Sequence, residues 1–190
     1  VATTGDVPRL TAESDRALVG LKQPVRIDLA PRPSPTSRAD GIDLPAPSRV
    51  VDPLVQGMVS EVTTATYVPT WQSLDDFETR ETFQTNNLAA SQWMLDKFLS
   101  YGLSAAFHYY TQSGHQKRNV VATMPGSVDS TKVVYICGHF DSWSPTPATC
   151  APGADDNATG TAAVLETARI LSQYQFEYTI KFACWNGEEQ

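Results

Sequence analysis

The chain has 190 residues, of which 41% are hydrophobic and 18% charged, a composition that predicts one globular domain with a sizeable core. Its net charge of −7 argues against a nucleic acid or an anionic membrane surface as a partner, and no apolar run is long enough to span a bilayer. The acidity is uneven: residues 1–50 carry seven Lys and Arg against six Asp and Glu (net +1), and residues 51–190 carry seven against fifteen (net −8).

The first fifty residues differ from the rest. Prolines cluster at Pro31–Pro35 and Pro45–Pro47, which is typical of an extended linker, and Thr11–Leu21 has only a weak helical pattern. We interpret residues 1–50 as a loosely ordered leader or pro-segment. The chain starts at Val1 rather than at Met and shows no signal peptide, so we interpret its start as a processed or cut end.

Capping signals predict three helices in the first half of the folded part. The signals are Asp52-Pro53 for a helix that ends near Val62, Ser73 for one over 74–80, and Asn87 for one that ends near Gly102. Two strands, Ala105–Thr111 and Asn119–Met124, are then predicted to form a hairpin around a turn at Ser113-Gly114.

The last quarter of the chain predicts a βαβ unit. Lys132–Gly138 and Tyr178–Trp185 are short apolar runs typical of buried strands, the first of them buried on both faces, and Thr161–Ser172 has the apolar stripe of a helix. Parallel pairing and a right-handed crossover follow, and ligand sites lie beyond the carboxyl ends of such strands. Cys137 and Cys184 are interpreted as buried core residues, since three cysteines make no disulfide framework.

Polar clusters adjoin these elements. His139 and Asp141 follow the first strand, Asp155 and Asp156 precede the helix, and Glu188-Glu189 follows the second strand. Neutral imidazole with carboxylate oxygen is a ligand set that binds catalytic zinc. Adjacent carboxylates without a basic partner are costly to hold together unless a cation lies among them.

Each cluster also has an ordinary explanation. His139 and Asp141 could both bind metal, Asp141 could accept the second imidazole N–H, or the pair could be a surface histidine and a turn residue. Asp155-Asp156 suits the N-terminal end of a helix dipole, and Glu188-Glu189 suits a solvated helix start. Asn157-Ala158-Thr159 matches the N-glycosylation pattern, which we discount because this loop is expected to face the site.

Together and in this order, the clusters resemble the zinc aminopeptidases of the bacterial leucyl aminopeptidase type. The resemblance is carried by GHFDS at 138–142, APGADDNATG at 151–160 and FACWNGEE at 182–189, and it extends more weakly upstream to about residue 55. It implies an α/β three-layer sandwich with a mostly parallel central sheet. Residues 51–190 would then be the amino-terminal part of a zinc peptidase catalytic domain.

The resemblance also implies two bound zinc ions. His139 resembles a ligand of one zinc, Asp156 the carboxylate that bridges both, and Glu189 a ligand of the other. Asp155 is expected to shape the loop rather than to bind metal. The resemblance also suggests a strained or cis peptide bond after Asp156.

The implied reaction removes one residue from peptides with a free amino terminus. Glu188 resembles the general base that takes a proton from a zinc-activated water and passes it to the leaving amine, and Asp141 resembles the partner that orients the His139 ring. Two zinc ions would lower the pKa of the water towards ~7 and polarise the scissile carbonyl. The substrate's α-amino group would lie near metal or acidic side chains.

One departure from the family is clear. The family uses two further metal ligands, an Asp and a His, downstream of the Glu pair, whereas this chain ends at Gln190. We therefore interpret the chain as a fragment that is inactive alone, from an enzyme that the resemblance implies is secreted or periplasmic. Two rival interpretations are a carboxypeptidase or glutaminyl cyclase on the same fold, and a non-catalytic binding module on a decayed scaffold, against which the intact ligand residues argue.

Overall fold

The computed structural model describes residues 24–25 and 52–190. The interpretation of residues 1–50 as a leader with a proline-rich linker and a short helix at Thr11–Leu21 therefore lies outside the described residues, except at Pro24–Val25. These two residues form strand β1, which pairs in parallel with β5, Gln175–Phe176. No helix in the described ranges is long and apolar enough to cross a membrane.

Helix α1, Pro53–Ser60, begins where the sequence predicts. Oδ1 of Asp52 accepts a 2.8 Å hydrogen bond from the N–H of Leu54, as expected of an N-cap. Pro53 occupies the first helical position, where its missing N–H costs nothing. The helix ends slightly before Val62, the predicted boundary.

Helix α2, Thr64–Asp75, corrects the prediction of a helix over 74–80 capped by Ser73. Thr63 and Thr66 form a reciprocal capping box, in which each hydroxyl oxygen accepts the other residue's N–H at 3.2 Å. Ser73 lies inside this helix and donates to a backbone carbonyl one turn earlier. The sequence analysis did not predict α2, because Pro69 lies inside this helix and proline normally interrupts a helical pattern.

Helix α3, Thr85–Ser100, ends before Gly102 as predicted, and the φ of +77° at this glycine explains the residue type. Asn87 does not cap it. Asn87 is buried in the first turn, and its side chain bonds outside the helix, to the carbonyl of Arg80 and to Asn186.

The predicted hairpin is confirmed. Strands β2, Ser104–Gln112, and β3, His115–Met124, pair in antiparallel fashion and extend the predicted strands by a few residues. The turn residues Ser113 and Gly114 both have positive φ, +50° and +76°. Such a two-residue turn matches the twist of the strands that it connects.

The predicted βαβ unit is confirmed as well. Strand β4, Asp129–His139, leads through a kinked segment at Ala154–Thr159 into helix α4, Gly160–Leu171, and then to strand β6, Tyr178–Trp185. β4 and β6 are parallel neighbours, and their last residues are register partners. The polar clusters that follow them therefore meet at one edge of the sheet.

The sheet itself differs from the expectation. Its strand order is β2-β3-β6-β4, and only β4 and β6 are parallel, whereas the β2–β3 and β3–β6 pairs are antiparallel. A mostly parallel sheet is thus the wrong description of the described residues. The physical reason is that β2 and β3 are joined by a tight hairpin, which imposes antiparallel pairing on them.

The hydrophobic core lies on one face of this sheet. Phe98 of α3 packs against Phe182 of β6 with ring centroids 6.4 Å apart, and Leu165 and Ala168 of α4 complete the same cluster. α3 and α4 therefore form one layer and the sheet a second. The described residues do not show the third layer of the expected sandwich.

The opposite face of β4 is open, which corrects the prediction that this strand is buried on both faces. Val133 is 42% and Tyr135 52% exposed on it. Cys137 is also exposed, contrary to its interpretation as a core residue, whereas Cys184 is fully buried as predicted. Burial raises the pKa of the Cys184 thiol, which suits an inert packing residue.

Candidate metal centre

The end of β4 places His139 at the carboxyl edge of the βαβ unit. Its carbonyl accepts a 2.6 Å hydrogen bond from Oγ1 of Thr161, in the first turn of α4. Gly138 packs against the same helix, because a Cβ at this position would lie 3.2 Å from the carbonyl carbon of Gly160. The strand end and the helix start are therefore held together, which fixes the backbone that carries the imidazole.

The His139 ring lies among four carboxylates. Nε2 lies 3.0 Å from Oδ1 of Asp156 and 3.8 Å from Oε2 of Glu188. Nδ1 is buried 3.5 Å from Oδ1 of Asp141 and makes no hydrogen bond with a described residue. A ring nitrogen of His139 and one carboxylate oxygen from each of Glu188 and Glu189 all lie within 4.8 Å of one another.

All five predicted site residues thus meet around the His139 ring. One group of possible ligand atoms joins His139 with Glu188 and Glu189, and Asp156 contacts the same ring. The Asp156 side chain is 78% exposed, and its Oδ1 contacts Nε2 of the imidazole. The division of ligand and base roles between the two glutamates remains a prediction.

The loop before α4 presents Asp156. The Asp156–Asn157 peptide bond is cis, as the resemblance implies, and Gly153 has a φ of +53° that favours glycine. Oδ1 of Asn157 accepts a 2.9 Å hydrogen bond from the N–H of Gly160, so this side chain folds back onto the helix start. Asp155 is exposed, as Asp156 is, and its role in shaping the loop stays a prediction.

Asp141 lies 3.5 Å from Nδ1 of His139 and also makes contacts that the sequence analysis did not predict. Its carboxylate is fully buried and accepts hydrogen bonds from the backbone N–H groups of Glu188 and Glu189, at 3.2 and 3.1 Å, and from Oγ1 of Thr82 at 3.1 Å. The expected hydrogen bond to the His139 ring is not made. Asp141 therefore fixes the segment that carries both glutamates.

A buried amide network supports this segment from behind. Asn186 and Asn87 exchange side-chain hydrogen bonds of 2.9 and 3.0 Å, and the N–H of Asn186 donates to Oδ1 of Asn119 at 2.8 Å. Tyr110 donates its hydroxyl to the carbonyl of Asn186 at 2.6 Å. The sequence analysis did not assign a site role to these residues or to Thr82, and Asn87 was interpreted as a helix cap.

The charges of the site favour binding of a cation. Partial burial, with the charges of Asp156 and Asp141, raises the pKa of Glu189 above its usual range. Among the described residues, no Lys or Arg forms an ion pair with Asp156, Glu188 or Glu189. Nearby carboxylates in this state are stabilised by a bound metal ion.

The donor set fits zinc. Zinc binds imidazole nitrogen and carboxylate oxygen, and catalytic zinc sites use three protein ligands with an open position. The cluster offers the Nε2 of His139 and oxygens of Asp156, Glu188 and Glu189 on one side, with Glu188 61% exposed to solvent. A substrate could therefore approach the cluster from the solvent side.

Comparison with protein families gives a match in this same region. Residues 119–190 match "Peptidase family M28". A probable zinc metalloprotease of Pyrenophora teres f. teres is 32% identical over 161 residues, which cover 73% of this chain and 33% of that protein. A second, from Leptosphaeria maculans, is 31% identical over 172 residues, which cover 79% of this chain and 39% of that protein.

Solved structures show the same fold. LapB from Legionella pneumophila superposes with a TM-score of 0.63 at 23% identity over 72% of this chain and 38% of its own. A leucine aminopeptidase precursor from Bacteroides thetaiotaomicron gives 0.55 at 20% identity over 67% and 52%. A glutaminyl cyclase from the same organism gives 0.54 at 20% identity over 67% and 51%.

The α/β fold and the clustered His and carboxylates agree with a zinc metallopeptidase domain. The chain carries part of a peptidase family M28 domain, which confirms the resemblance drawn from the three sequence clusters. It spans about one third to two fifths of the length of the two curated relatives.

Proposed function

We propose that this protein belongs to a zinc-dependent aminopeptidase that releases single residues from the free amino terminus of peptides. The observation that carries the proposal is the convergence of His139, Asp156, Glu188 and Glu189 on one solvent-accessible point, with no Lys or Arg of the described residues paired to them. We further propose that two zinc ions bind and that the enzyme acts outside the cytoplasm, in keeping with the family resemblance.

The residues of the cluster would have different roles in the reaction. His139, Asp156 and Glu189 would hold the metal, and when bound, zinc supplies Lewis-acid chemistry that activates water and polarises a carbonyl. Glu188 would accept the proton of the attacking water at a carboxylate oxygen and pass it to the leaving amine. Asp141 would keep Glu188 in place through its hydrogen bond to the backbone N–H of that residue.

The family resemblance also supports the choice of substrate end. Asp156 and Glu189 would be neutralised as zinc ligands, so their charge alone does not select the amino terminus. The substrate's α-amino group would lie near metal or acidic side chains, as the resemblance implies, and this contact would orient the peptide for removal of its first residue.

The test uses the protein encoded by the complete reading frame, loaded with zinc. We expect turnover of aminoacyl p-nitroanilides and none of their N-acetyl analogues, because the acetyl group removes the free amino terminus that an aminopeptidase requires. Equal turnover of both substrates would contradict an aminopeptidase. Cyclisation of peptides that begin with glutamine, with no p-nitroaniline release, would favour a glutaminyl cyclase instead.

A further inference from the structure

Arg80 is a fully buried cation behind the metal centre, and no described carboxylate forms an ion pair with it. Its guanidinium group instead donates to four backbone carbonyls. Nε donates to Phe140 at 2.8 Å, Nη1 to Leu74 at 2.6 Å and also to Pro152, and Nη2 to Gly153 at 3.1 Å.

Two of the segments reached by Arg80 carry site residues. Phe140 lies between His139 and Asp141, so the bond from Nε fixes the backbone that presents both. Pro152 and Gly153 begin the loop that presents Asp156. One side chain thus connects the end of β4 to the loop before α4.

The backbone of Arg80 makes a second connection between the same segments. Its N–H donates to Oγ of Ser142 at 2.9 Å, and this hydroxyl in turn donates to the carbonyl of Ala151 at 2.5 Å. Gly153 lies so close that a Cβ there would be 3.1 Å from Nη2 of Arg80 and 2.6 Å from Cβ of Ser142. The packing leaves little room for the loop to shift relative to β4.

We propose that Arg80 is a positioning residue for zinc, which sets the separation of Asp156 from His139 by joining the two backbone segments that carry them. The proposal rests on the proposed function, since it concerns the same metal centre. A ligand pair held at the right separation before the metal arrives binds it more tightly, because less ordering is required on binding.

The guanidinium group is suited to this task. Its planar fork offers five N–H donors in fixed directions, whereas an ammonium group offers three on a flexible stem. Four carbonyls that converge from different segments match the fork. Burial lowers the pKa of Arg80 to about 10, so the group remains charged at neutral pH.

The test measures the zinc dissociation constant by competition with a chromophoric chelator, on protein from the complete reading frame, at a temperature where circular dichroism shows each variant folded. Arg80→Lys is compared with Arg169→Lys. Arg169 is a matched control, because its guanidinium also bridges to a backbone carbonyl, that of Glu61, but it does so on the last turn of α4.

We expect Arg80→Lys to raise the zinc dissociation constant by about 10–100-fold and Arg169→Lys to leave it unchanged. A purely structural role would lower the melting temperature of Arg80→Lys and leave its zinc dissociation constant equal to that of the unsubstituted protein, and this result would overturn the inference. Absence of zinc binding by the unsubstituted protein would overturn the proposed metal centre together with this inference.

If Arg80→Lys does not fold, Ser142→Ala decides the question. This variant removes the acceptor of the Arg80 N–H and the donor to Ala151 while it keeps the guanidinium. We expect Ser142→Ala to raise the zinc dissociation constant above that of the unsubstituted protein. The increase should be smaller than the increase of about 10–100-fold expected for loss of the guanidinium. An unchanged dissociation constant in folded Ser142→Ala would overturn the inference.

Discussion

The two ends of helix α4 hold buried or partly buried carboxylates in opposite electrostatic states. Near its C-terminal end, Arg169 donates to both oxygens of Glu166 at 2.8 Å, and these bonds lower the pKa of Glu166. Beside its N-terminal end, partial burial and neighbouring carboxylates raise the pKa of Glu189. One end has its cation in the chain, and the other has none among the described residues.

This difference teaches how to distinguish a structural from a metal-binding acidic cluster. Glu166 needs no ligand, because Arg169 and the hydroxyl of Thr66 complete its hydrogen bonds. Asp156, Glu188 and Glu189 face an imidazole and one another. Removing a partner should therefore affect stability at one end and metal binding or turnover at the other.

The largest expected effect is on turnover. Glu188→Ala removes the proposed base and should lower turnover of aminoacyl p-nitroanilides by ~10²–10⁴-fold, with bound zinc nearly intact, since a base acts on the reaction and does not hold the metal. Glu189→Ala should lower both turnover and bound zinc. Kinetics with zinc analysis of both variants makes the comparison. Unchanged turnover in Glu188→Ala would contradict the base assignment.

The next effect concerns the support of the glutamate segment. Asp141→Asn replaces one oxygen that accepts a backbone N–H of Glu188 or Glu189 with a donor, which disturbs the position of both. We expect a loss of about 10–100-fold in zinc affinity, as is typical of residues that orient ligands. Chelator competition measures it, and Asp96→Asn, in an exposed pair with Gln92, is the control. Equal zinc affinity in the two variants would contradict a supporting role of Asp141 at the metal centre.

The sequence predicted the elements that local signals determine, and it missed features that become visible only from contacts in the folded chain. Strand β6 was predicted residue for residue, because its apolar run is short and sharply bounded. α2 was missed because its internal proline and threonine-rich start obscure the helical pattern, and only the bonds between Thr63 and Thr66 reveal the capping box.

The candidate site was likewise predictable only where local sequence signals determine it. The clusters at His139, Asp156 and Glu188-Glu189 could be predicted, because each adjoins a regular element whose end fixes its position. The supporting contacts could not, since Asn87 and Asn186 are 99 positions apart and meet only in the folded chain. Asp141 was assigned to the His139 ring, and its bonds to the glutamate backbone depend on the exact approach of two strand ends.

The smallest expected effect lies at the other end of α4. Glu166→Gln should lower the free energy of unfolding by about 1–3 kcal/mol at neutral pH, because hydrogen bonds to charged groups are lost. The lowered pKa of Glu166 means that its contribution is present above its unfolded pKa and disappears as the pH falls through its folded pKa. Urea denaturation should thus show a smaller loss on acidification in the variant. Weaker zinc binding in Glu166→Gln would contradict the separation of the two ends.

The central claim is that the carboxylates beside the N-terminal end of α4 bind zinc together with His139, and zinc binding to Asp156→Asn and Asp155→Asn tests it most directly. The two aspartates are neighbours, and only Asp156 contacts His139, at 3.0 Å. We predict that Asp155→Asn binds zinc as the unsubstituted protein does and that Asp156→Asn loses most of its affinity in the same titration. Equal zinc binding by the two variants, or no zinc binding by the unsubstituted protein, would contradict the account.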